Sequence, residues 1–212
     1  MQLYSRWRNS AGERVRIALN LKRLRYEYIA VGSLAPGEYQ RLNPQGLLPA
    51  LRVGGQVIAQ STAILEYLEE THPEAPLLPA DPVLRAQARA FAQLIASDLH
   101  PLNNNRVRAY LAAQMGASET GVNGWYRHWV ALAMTALEAT LVARPGDWPF
   151  CFGDAPGWAD LHLAPQLANA RRFGCDLDPY PLLRAVDANC RNLDAFRRAR
   201  PEAQPDYPGD SN

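Results

Sequence analysis

The chain has 212 residues, enough for one large domain or for two smaller domains that each bury a hydrophobic core. Hydrophobic residues make up 48% of it and charged residues 20%, a composition typical of an ordinary globular protein. Its 22 basic residues nearly balance its 21 acidic residues, which excludes a general basic field for nucleic acid or an anionic membrane, so any cationic site has to be local.

The cysteines and the apolar runs indicate where the protein works. Cys151, Cys175 and Cys190 are odd in number and lack metal-ligand spacing, which indicates free thiols and no metal site. No apolar run is long enough to span a bilayer, and the first residues lack the apolar core of a signal peptide. The sequence therefore predicts a cytoplasmic protein without a membrane or nucleic-acid partner.

Residues 1–80 alternate strand and helix patterns. Short apolar or alternating runs predict strands at Gln2–Ser5, Tyr26–Val31, Leu48–Val53 and Gln56–Ala59. Apolar residues at helical spacing predict helices at Ser10–Arg23, Pro36–Leu42 and Thr62–Glu69. Gly54 and Gly55 supply a two-residue turn between the last two strands. This order predicts a small mixed sheet with helices packed on it.

The remainder of the chain is predicted to be helical. His72–Pro82 holds four prolines and no periodic pattern, so we interpret it as the linker between a domain at residues 1–80 and a domain at residues 81–212. Apolar helical faces then begin at Leu84, Trp125, Leu161 and Leu182, the last of them extending to Phe196. The polar, proline-rich tail from Arg200 is predicted to be draped over the surface or frayed.

Two predicted helix starts in the first domain have the chemistry of an anion site. A strand feeds a polar turn that opens a helix at Ser10, with Arg8 and Asn9 beside it, so backbone N–H groups and the positive end of the helix dipole converge there. Ser61 is predicted as the N-cap of a later helix, and Gln60 adds an amide donor. A serine at such a position more often serves helix stability alone, so an anion-binding role needs further support.

Pro49 lies at the start of a predicted strand, a position where a residue without an N–H interrupts the hydrogen bonds of the sheet least. Two interpretations are open. The proline is either trans and merely starts the strand, or the Leu48–Pro49 bond is cis and turns the N–H and C=O of Leu48 outward to pair with a peptide-like ligand.

The combination of Ser10, Pro49 and Ser61 resembles the thioredoxin-like domain of the cytosolic glutathione transferases, and the helical second half resembles theirs. Zeta-class members, the maleylacetoacetate and maleylpyruvate isomerases, carry the signature Ser-Ser-Cys-x-Trp-Arg-Val-Arg-Ile-Ala-Leu. The last six residues of that signature are intact here as Arg14–Leu19. Further matches to the class lie at Leu42–Pro44, Gln60–Ser61, Glu66–Thr71, Asp98–Asn104 and Pro165–Phe173.

This resemblance implies a glutathione transferase fold, α/β plus all-α, in which residues 1–80 bind glutathione and residues 81–212 complete the substrate site. It also implies a homodimer with glutathione as the cofactor. The γ-glutamyl carboxylate is expected at Ser61, the cysteinyl backbone at Leu48 and the thiol at the first helix. The residues implied to bind glutathione are Asn9, Ser10, Ala11, Leu48, Pro49, Gln60, Ser61, His100, Asn104 and Arg106.

The chain departs from the family pattern where the family has Ser-Ser-Cys. Here the residues are Asn9, Ser10 and Ala11, so the nucleophile has to come from glutathione. We expect Ser10, Asn9 and Arg8 to be catalytic, and whether Asn9 or Ser10 is the main donor to the thiolate stays open. A helix cap that usually reads Ser/Thr-x-x-Asp here reads Gly157–Asp160, in which we expect Asp160 to be structural.

A small dicarboxylate substrate requires cationic groups, and arginine binds a carboxylate through two parallel hydrogen bonds. We expect Arg8 and Arg172 to bind the substrate together with either Arg106 or Arg108. These last two are two positions apart on a predicted helix, so only one of them can face the site.

The predicted function is the glutathione-dependent cis–trans isomerisation of maleylpyruvate to fumarylpyruvate, as in gentisate-type aromatic catabolism. Maleylacetoacetate is the alternative substrate, since it also ends in two carboxylates. A conjugating or dehalogenating transferase is a second alternative, and it would consume glutathione. A non-catalytic binding module is disfavoured by the presence of Ser10, Gln60 and Ser61.

Overall fold

A computed structural model describes residues Met1–Gly209, which form two compact units. One unit comprises Met1–Leu77 together with the described residues from Arg191 to Gly209, and the other comprises Leu78–Cys190. The first boundary lies inside the predicted linker. The second boundary differs from the prediction, which assigned everything after residue 80 to the helical domain, because the end of the chain packs within the first unit.

The first unit contains a four-stranded sheet with the strand order β2-β1-β3-β4. The strands are β1 (Gln2–Ser5), β2 (Glu27–Ala30), β3 (Ala50–Val53) and β4 (Gln56–Ala59). β1 runs parallel to β2 and antiparallel to β3, so that Leu3 lies opposite both Tyr28 and Leu51. Gly54 and Gly55 have φ angles of 54° and 85°, as a tight hairpin turn requires. The predicted mixed sheet is confirmed.

Helices cover this sheet. They are α1 (Ser10–Leu21), α2 (Glu38–Leu42) and α3 (Ser61–Thr71), with a 3-10 turn at Val31–Ser33. On one face of the sheet Tyr4 and Ala50 pack against Tyr39 of α2. Side chains alternate between the faces of a strand, so Leu3 and Leu51 point the other way, and both are fully buried. Val15, Ile17 and Leu19 of α1 are buried as well. So are Ile64, Leu65 and Leu68 of α3, which completes this core.

Lys22, the only lysine in the sequence, ties the linker to the first unit. Its side chain is fully buried, and Nζ lies 2.8 Å from a carboxylate oxygen of Glu69. The same Nζ donates to the carbonyl oxygens of His72 and Ala75, each at 2.8 Å. The first half of the linker is therefore fixed against α1 and α3.

The second unit is built of helices. They are α4 (Pro82–Gln93), α5 (His100–Leu102), α6 (Asn105–Ala113), α7 (Glu119–Val142), α8 (Trp158–Arg172) and α9 (Pro181–Arg191). A π-helical segment, Leu94–Leu99, joins α4 to α5. Pro101 explains it, because a proline lacks the N–H of a regular helical turn and its ring collides with the carbonyl four residues earlier. Within Met1–Gly209, no helix is both long and apolar enough to cross a membrane.

The helix at the end of the chain departs from prediction, and the tail takes the draped form of the two that were predicted. The helix predicted for Leu182–Phe196 stops at Arg191, and the extended residue Leu193 starts a separate turn, α10 (Asp194–Arg197). The tail is anchored rather than frayed, and its 3-10 turn at Pro201–Ala203 is followed by the buried Gln204.

Arg16 of α1 provides much of this anchoring. Its Nε donates to the carbonyl oxygen of Ala199 at 2.8 Å. The guanidinium also bonds to Ser5 Oγ and to the carbonyl oxygens of Arg6 and Trp7. The sequence shows no sign of this arrangement, because Arg16 and Ala199 are 183 positions apart in the chain.

Candidate functional site

The start of α1 carries the first group of predicted site residues. Asn9 is the N-cap of the helix, and its Oδ1 accepts a hydrogen bond from the backbone N–H of Gly12. A Cβ on Gly12 would lie 2.2 Å from Ser5 Oγ, so only glycine fits there. Ser10 is the first helical residue, and its half-buried hydroxyl bonds to no described residue. The Asn9 oxygen is already used in the cap, so the Ser10 hydroxyl is the side-chain group at this helix start that remains available to a ligand.

The chain has no activated thiol. Ala11, where the zeta-class signature has cysteine, is buried. Cys151 and Cys190 are buried too, and desolvation raises the pKa of both thiols well above the ordinary value. Burial also raises the pKa of the half-buried Cys175. Thiols with raised pKa values are poor nucleophiles at neutral pH, so a thiol nucleophile has to arrive with a ligand.

Arg8 lies in the turn before α1. Its exposed guanidinium stacks on the ring of Trp7, with its central carbon 4.7 Å from the ring centroid. The end of the chain holds this turn, because Asp206 Oδ2 accepts from the Trp7 backbone N–H at 3.0 Å and Tyr207 packs edge-on against Trp7. Arg8 forms no ion pair with a described residue. The turn is therefore fixed while the charge of Arg8 stays available.

The Leu48–Pro49 bond is cis, as the second interpretation of Pro49 predicted. β3 begins one residue after this proline, and the N–H and C=O of Leu48 bond to nothing in the described part of the chain. The carbonyl before them, that of Leu47, accepts from Tyr39 Oη at 2.6 Å and from Asn43 Nδ2 at 2.7 Å. The backbone is thus fixed on one side, and both polar groups of Leu48 remain available to an extended ligand.

The prediction that Ser61 is the N-cap of α3 is wrong by one residue. Gln60 occupies that position with an unusual positive φ of 71°, and it makes no capping hydrogen bond. Its Nε2 donates instead to Gln45 Oε1 at 2.7 Å. Ser61 is the first helical residue and is buried. The N–H groups at the positive end of α3 therefore lack a side-chain cap, an arrangement that suits a carboxylate.

A buried cation lies behind Ser61. Arg14 of α1 is only 1% exposed, and its Nη1 donates to Ser61 Oγ at 3.4 Å. Burial lowers the pKa of Arg14 to about 10, while the neighbouring Glu13 carboxylate opposes that fall. The guanidinium is therefore charged at neutral pH.

In the second unit, Arg106 and Arg108 have different surroundings. Asn104 is the N-cap of α6, with Oδ1 accepting from the backbone N–H of Arg106 at 3.1 Å, and the Arg106 side chain is exposed. Arg108 is half-buried, with its guanidinium carbon 4.3 Å from the ring centroid of Phe173. Its buried Nε has no partner among the described residues. Of the two candidates, Arg108 is the one turned toward the interior of the unit. The predicted His100 is half-buried at the start of α5.

Phe173 brings two cations together. The guanidinium carbon of Arg172 lies 4.4 Å from the same ring centroid, and Arg172 Nη2 donates to Asn169 Oδ1 at 3.2 Å. Tyr126 stacks on Phe173 with the centroids 3.9 Å apart, and burial raises the pKa of Tyr126 to about 12, so it remains a neutral phenol. Arg108 forms no ion pair with a described residue. Two guanidinium groups on one ring produce a local positive field suited to a carboxylate.

Asp160 has a structural position, in line with the expectation for it. Its Oδ2 accepts from the backbone N–H of Gly157 at 2.8 Å, and its Oδ1 accepts from that of Cys151 at 2.9 Å. Burial raises the pKa of this carboxyl, and the two backbone hydrogen bonds oppose that rise. The carboxylate thereby joins the start of α8 to the segment before it.

Sequence reasoning missed three contributors to these sites. Arg14 carried a signal, since it lies three residues after Ala11 and four before Ala18, both buried, so helical spacing places it on the apolar face. Gln45 and Asp206 carried none, because their partners are 15 and 199 positions away in the sequence.

Comparison with known proteins extends this description. Residues 10–71 match the family model "Glutathione S-transferase, N-terminal domain". The chain is 50% identical over 211 residues to maleylpyruvate isomerase from a Ralstonia species, covering 97% of this chain and 99% of that protein.

Two solved structures are similar over nearly the whole chain. One is a holo structure of a maleylpyruvate isomerase, described as a bacterial zeta-class glutathione S-transferase, with TM-score 0.92 and 49% identity over 97% of this chain and 99% of that one. The other is a maleylacetoacetate isomerase from Methylobacterium extorquens with bound malonate and glutathione, with TM-score 0.92 and 39% identity over 98% of this chain and 100% of that one.

Proposed function

The chain belongs to the zeta class of the glutathione transferases, and we propose that it catalyses the glutathione-dependent cis–trans isomerisation of maleylpyruvate to fumarylpyruvate. The observation that carries the proposal is the identity of half of its residues with a maleylpyruvate isomerase over nearly the full length of both chains. The similarity to a maleylacetoacetate isomerase makes maleylacetoacetate the second candidate substrate.

The first unit supplies groups that fit glutathione. Bound glutathione would supply the thiol sulfur, which adds reversibly to the conjugated cis double bond. The bond is then single and can rotate, and loss of the thiolate restores the double bond in the trans form, so that glutathione is not consumed. Ser10 would donate a hydrogen bond to that sulfur, and the dipole of α1 would favour its thiolate form. Asn9 would act mainly by fixing this helix start, since its oxygen is used in the cap.

The rest of the tripeptide would be held by backbone and polar groups of the same unit. The N–H and C=O of Leu48, beside Pro49, would pair with the cysteinyl backbone. Ser61 and the uncapped start of α3 would receive the γ-glutamyl carboxylate, with the Gln60 amide alongside. His100 and Asn104 of the second unit remain proposed contacts for glutathione.

The substrate would be bound by arginines. Arg108 and Arg172, both on Phe173, would bind a carboxylate with little rotational freedom left to lose. Arg8 would stabilise the negative charge that develops on the conjugated keto oxygen. The roles of Arg8 and Arg108 are supported by the absence of an ion pair between either guanidinium and a carboxylate of the described residues.

The decisive experiment mixes purified protein with maleylpyruvate, with and without glutathione, and follows both the isomer ratio and the free thiol by NMR. We expect isomerisation that requires glutathione and leaves its concentration unchanged. Loss of glutathione would instead identify a conjugating or dehalogenating enzyme. Absence of any reaction would reject maleylpyruvate, and the same assay on maleylacetoacetate would then separate an isomerase of that substrate from a binding module.

A second experiment tests the two candidate arginines of α6. Arg108→Met should lower kcat/KM on the order of tenfold to a hundredfold, the usual effect of losing a hydrogen bond to a charged group. Arg106→Met should have a much smaller effect, because that side chain is exposed. Arg184→Met, which removes an exposed arginine paired with Asp178, is the matched control. Equal losses in the two α6 variants would reject the assignment to Arg108.

We also propose that the protein is a cytoplasmic homodimer. The free state of all three cysteines supports a reducing compartment, and the dimer is supported by the zeta-class membership alone. Light scattering coupled to gel filtration tests the dimer, and fractionation of the producing cells tests the location.

A further inference from the structure

Arg14 is an anomaly in the first unit. A guanidinium has five N–H donors and is costly to bury unless they find partners. Arg14 is 1% exposed, yet its single hydrogen bond within Met1–Gly209 runs to Ser61 Oγ. Its Nε and Nη2 are buried and bond to nothing in that part of the chain. A fully buried, charged group with most of its donors unused indicates that a partner is missing.

Arg16, one half-turn further along α1, shows what a structural buried arginine looks like in the same unit. All of its nitrogens donate to oxygens of the chain, at Ala199, Ser5, Arg6 and Trp7. The contrast separates the roles of the two arginines. Arg16 is satisfied by the fold itself, whereas Arg14 has the hydroxyl of Ser61, the first residue of α3, as its one hydrogen-bond partner within Met1–Gly209.

The geometry at Ser61 specifies what the missing partner is. A serine hydroxyl has one proton to donate, and because Ser61 Oγ accepts from Arg14, that proton is directed away from Arg14. The start of α3 has no side-chain cap, so its N–H groups face the same region. A hydroxyl donor, uncapped N–H groups and a buried cation behind them together suit a carboxylate.

We propose that Arg14 is a positioning residue for glutathione, which orients the Ser61 hydroxyl and provides the buried positive charge that selects the α-carboxylate of the γ-glutamyl group. This inference rests on the proposed function, because it takes glutathione as the ligand. Arg14 acts through Ser61 and at short range through its field, and it takes no part in the thiol chemistry at Ser10.

The test measures recognition of that one carboxylate. Isothermal titration calorimetry compares the Kd of glutathione with that of γ-aminobutyryl-cysteinyl-glycine, which lacks only the α-carboxylate. The wild-type protein should prefer glutathione on the order of tenfold to a hundredfold, the usual value of hydrogen bonds to a charged group. Arg14→Met should bind the two ligands within about twofold of each other. Arg14→Lys keeps the charge without the planar fork, so its preference for glutathione should lie between that of the wild type and that of Arg14→Met.

The readout is a ratio of two affinities in one variant, so partial unfolding, which weakens both equally, cancels from it. Arg16→Lys is the matched control: it perturbs a buried arginine of the same helix and should lower stability without changing the ratio. A double-mutant cycle of Arg14→Met with Ser61→Ala should show strongly non-additive losses for glutathione.

The outcomes are distinguishable. Failure of the wild-type protein to bind glutathione would overturn the proposed function. Glutathione binding with an unchanged preference for the α-carboxylate in Arg14→Met would overturn the role of Arg14 alone. If Arg14→Met does not fold, Arg14→Lys provides the test. A ratio of the two Kd values equal to that of the wild type in this variant would also reject the role of Arg14.

Discussion

Glu13 provides a quantitative test of the electrostatics of α1. It lies in the first turn of the helix, and burial raises the pKa of its carboxyl from 4.5 to about 7. Four charged groups act on it: Arg16, Arg200 and Arg14 lower the pKa, and Glu202 raises it. Burial outweighs the three arginines, so the folded protein holds a proton on Glu13 that the unfolded chain releases near pH 4.5.

The sign of the effect follows from this difference. Folding takes up a proton between pH 4.5 and 7, so the contribution of Glu13 to stability is fully present below pH 4.5 and is lost as the pH rises through 7. A difference of this size corresponds to about 3 kcal/mol in the free energy of unfolding. Glu13→Gln, which is neutral at every pH, removes this loss. Relative to wild type, the variant should therefore gain about 2 to 3 kcal/mol between pH 5 and pH 8.

The assay is urea denaturation of both proteins at matched concentration across this pH range, followed by circular dichroism. The quantity to plot is the difference in unfolding free energy between variant and wild type, because every other titrating group cancels from it. Glu119→Gln, which removes an exposed carboxylate from the first turn of α7, is the matched control for the loss of a carboxylate at a helix start. A difference for Glu13→Gln that does not change with pH would refute the assignment of a buried, protonated Glu13.

Three further predictions test other parts of the fold. Asp160→Ala should cost about 2 to 4 kcal/mol of unfolding free energy by leaving the buried N–H of Cys151 and the half-buried N–H of Gly157 unpaired, and an unchanged denaturation midpoint would contradict it. Lys22→Met should cost about 3 to 5 kcal/mol, because it leaves the Glu69 carboxylate without its buried partner, and native-state labelling with an amine reagent should leave wild-type Lys22 unmodified until the protein unfolds. Asp206→Ala should free the turn at Trp7, so hydrogen exchange of the Trp7 amide should accelerate while that of β3 stays unchanged.

The sequence predicted correctly those features that depend on residues close together in the chain. The helix start at Ser10, the hairpin at Gly54-Gly55 and the cap by Asp160 each depend on residues a few positions apart, so periodicity and turn chemistry were sufficient to place them. The cis bond at Pro49 was one of two interpretations, and only the fold chose between them.

Whatever depends on partners distant in the sequence had to come from the tertiary structure. Arg106 and Arg108 are equivalent by spacing, and what distinguishes them is the ring of Phe173, the residue directly after α8. The sequence left the tail as either draped or frayed, because its polar residues find their partners, such as Trp7, at the opposite end of the chain.

The sequence alone therefore determined the family, the two kinds of domain and, to within a residue, the starts of α1 and α3, since these are properties of short segments. Only the tertiary structure decided whether the donors of the buried arginines are satisfied. The reason is physical: the charge and hydrogen-bonding capacity of Arg14 and Arg16 are identical, and only the fold gives one of them four oxygen partners and the other a single hydroxyl.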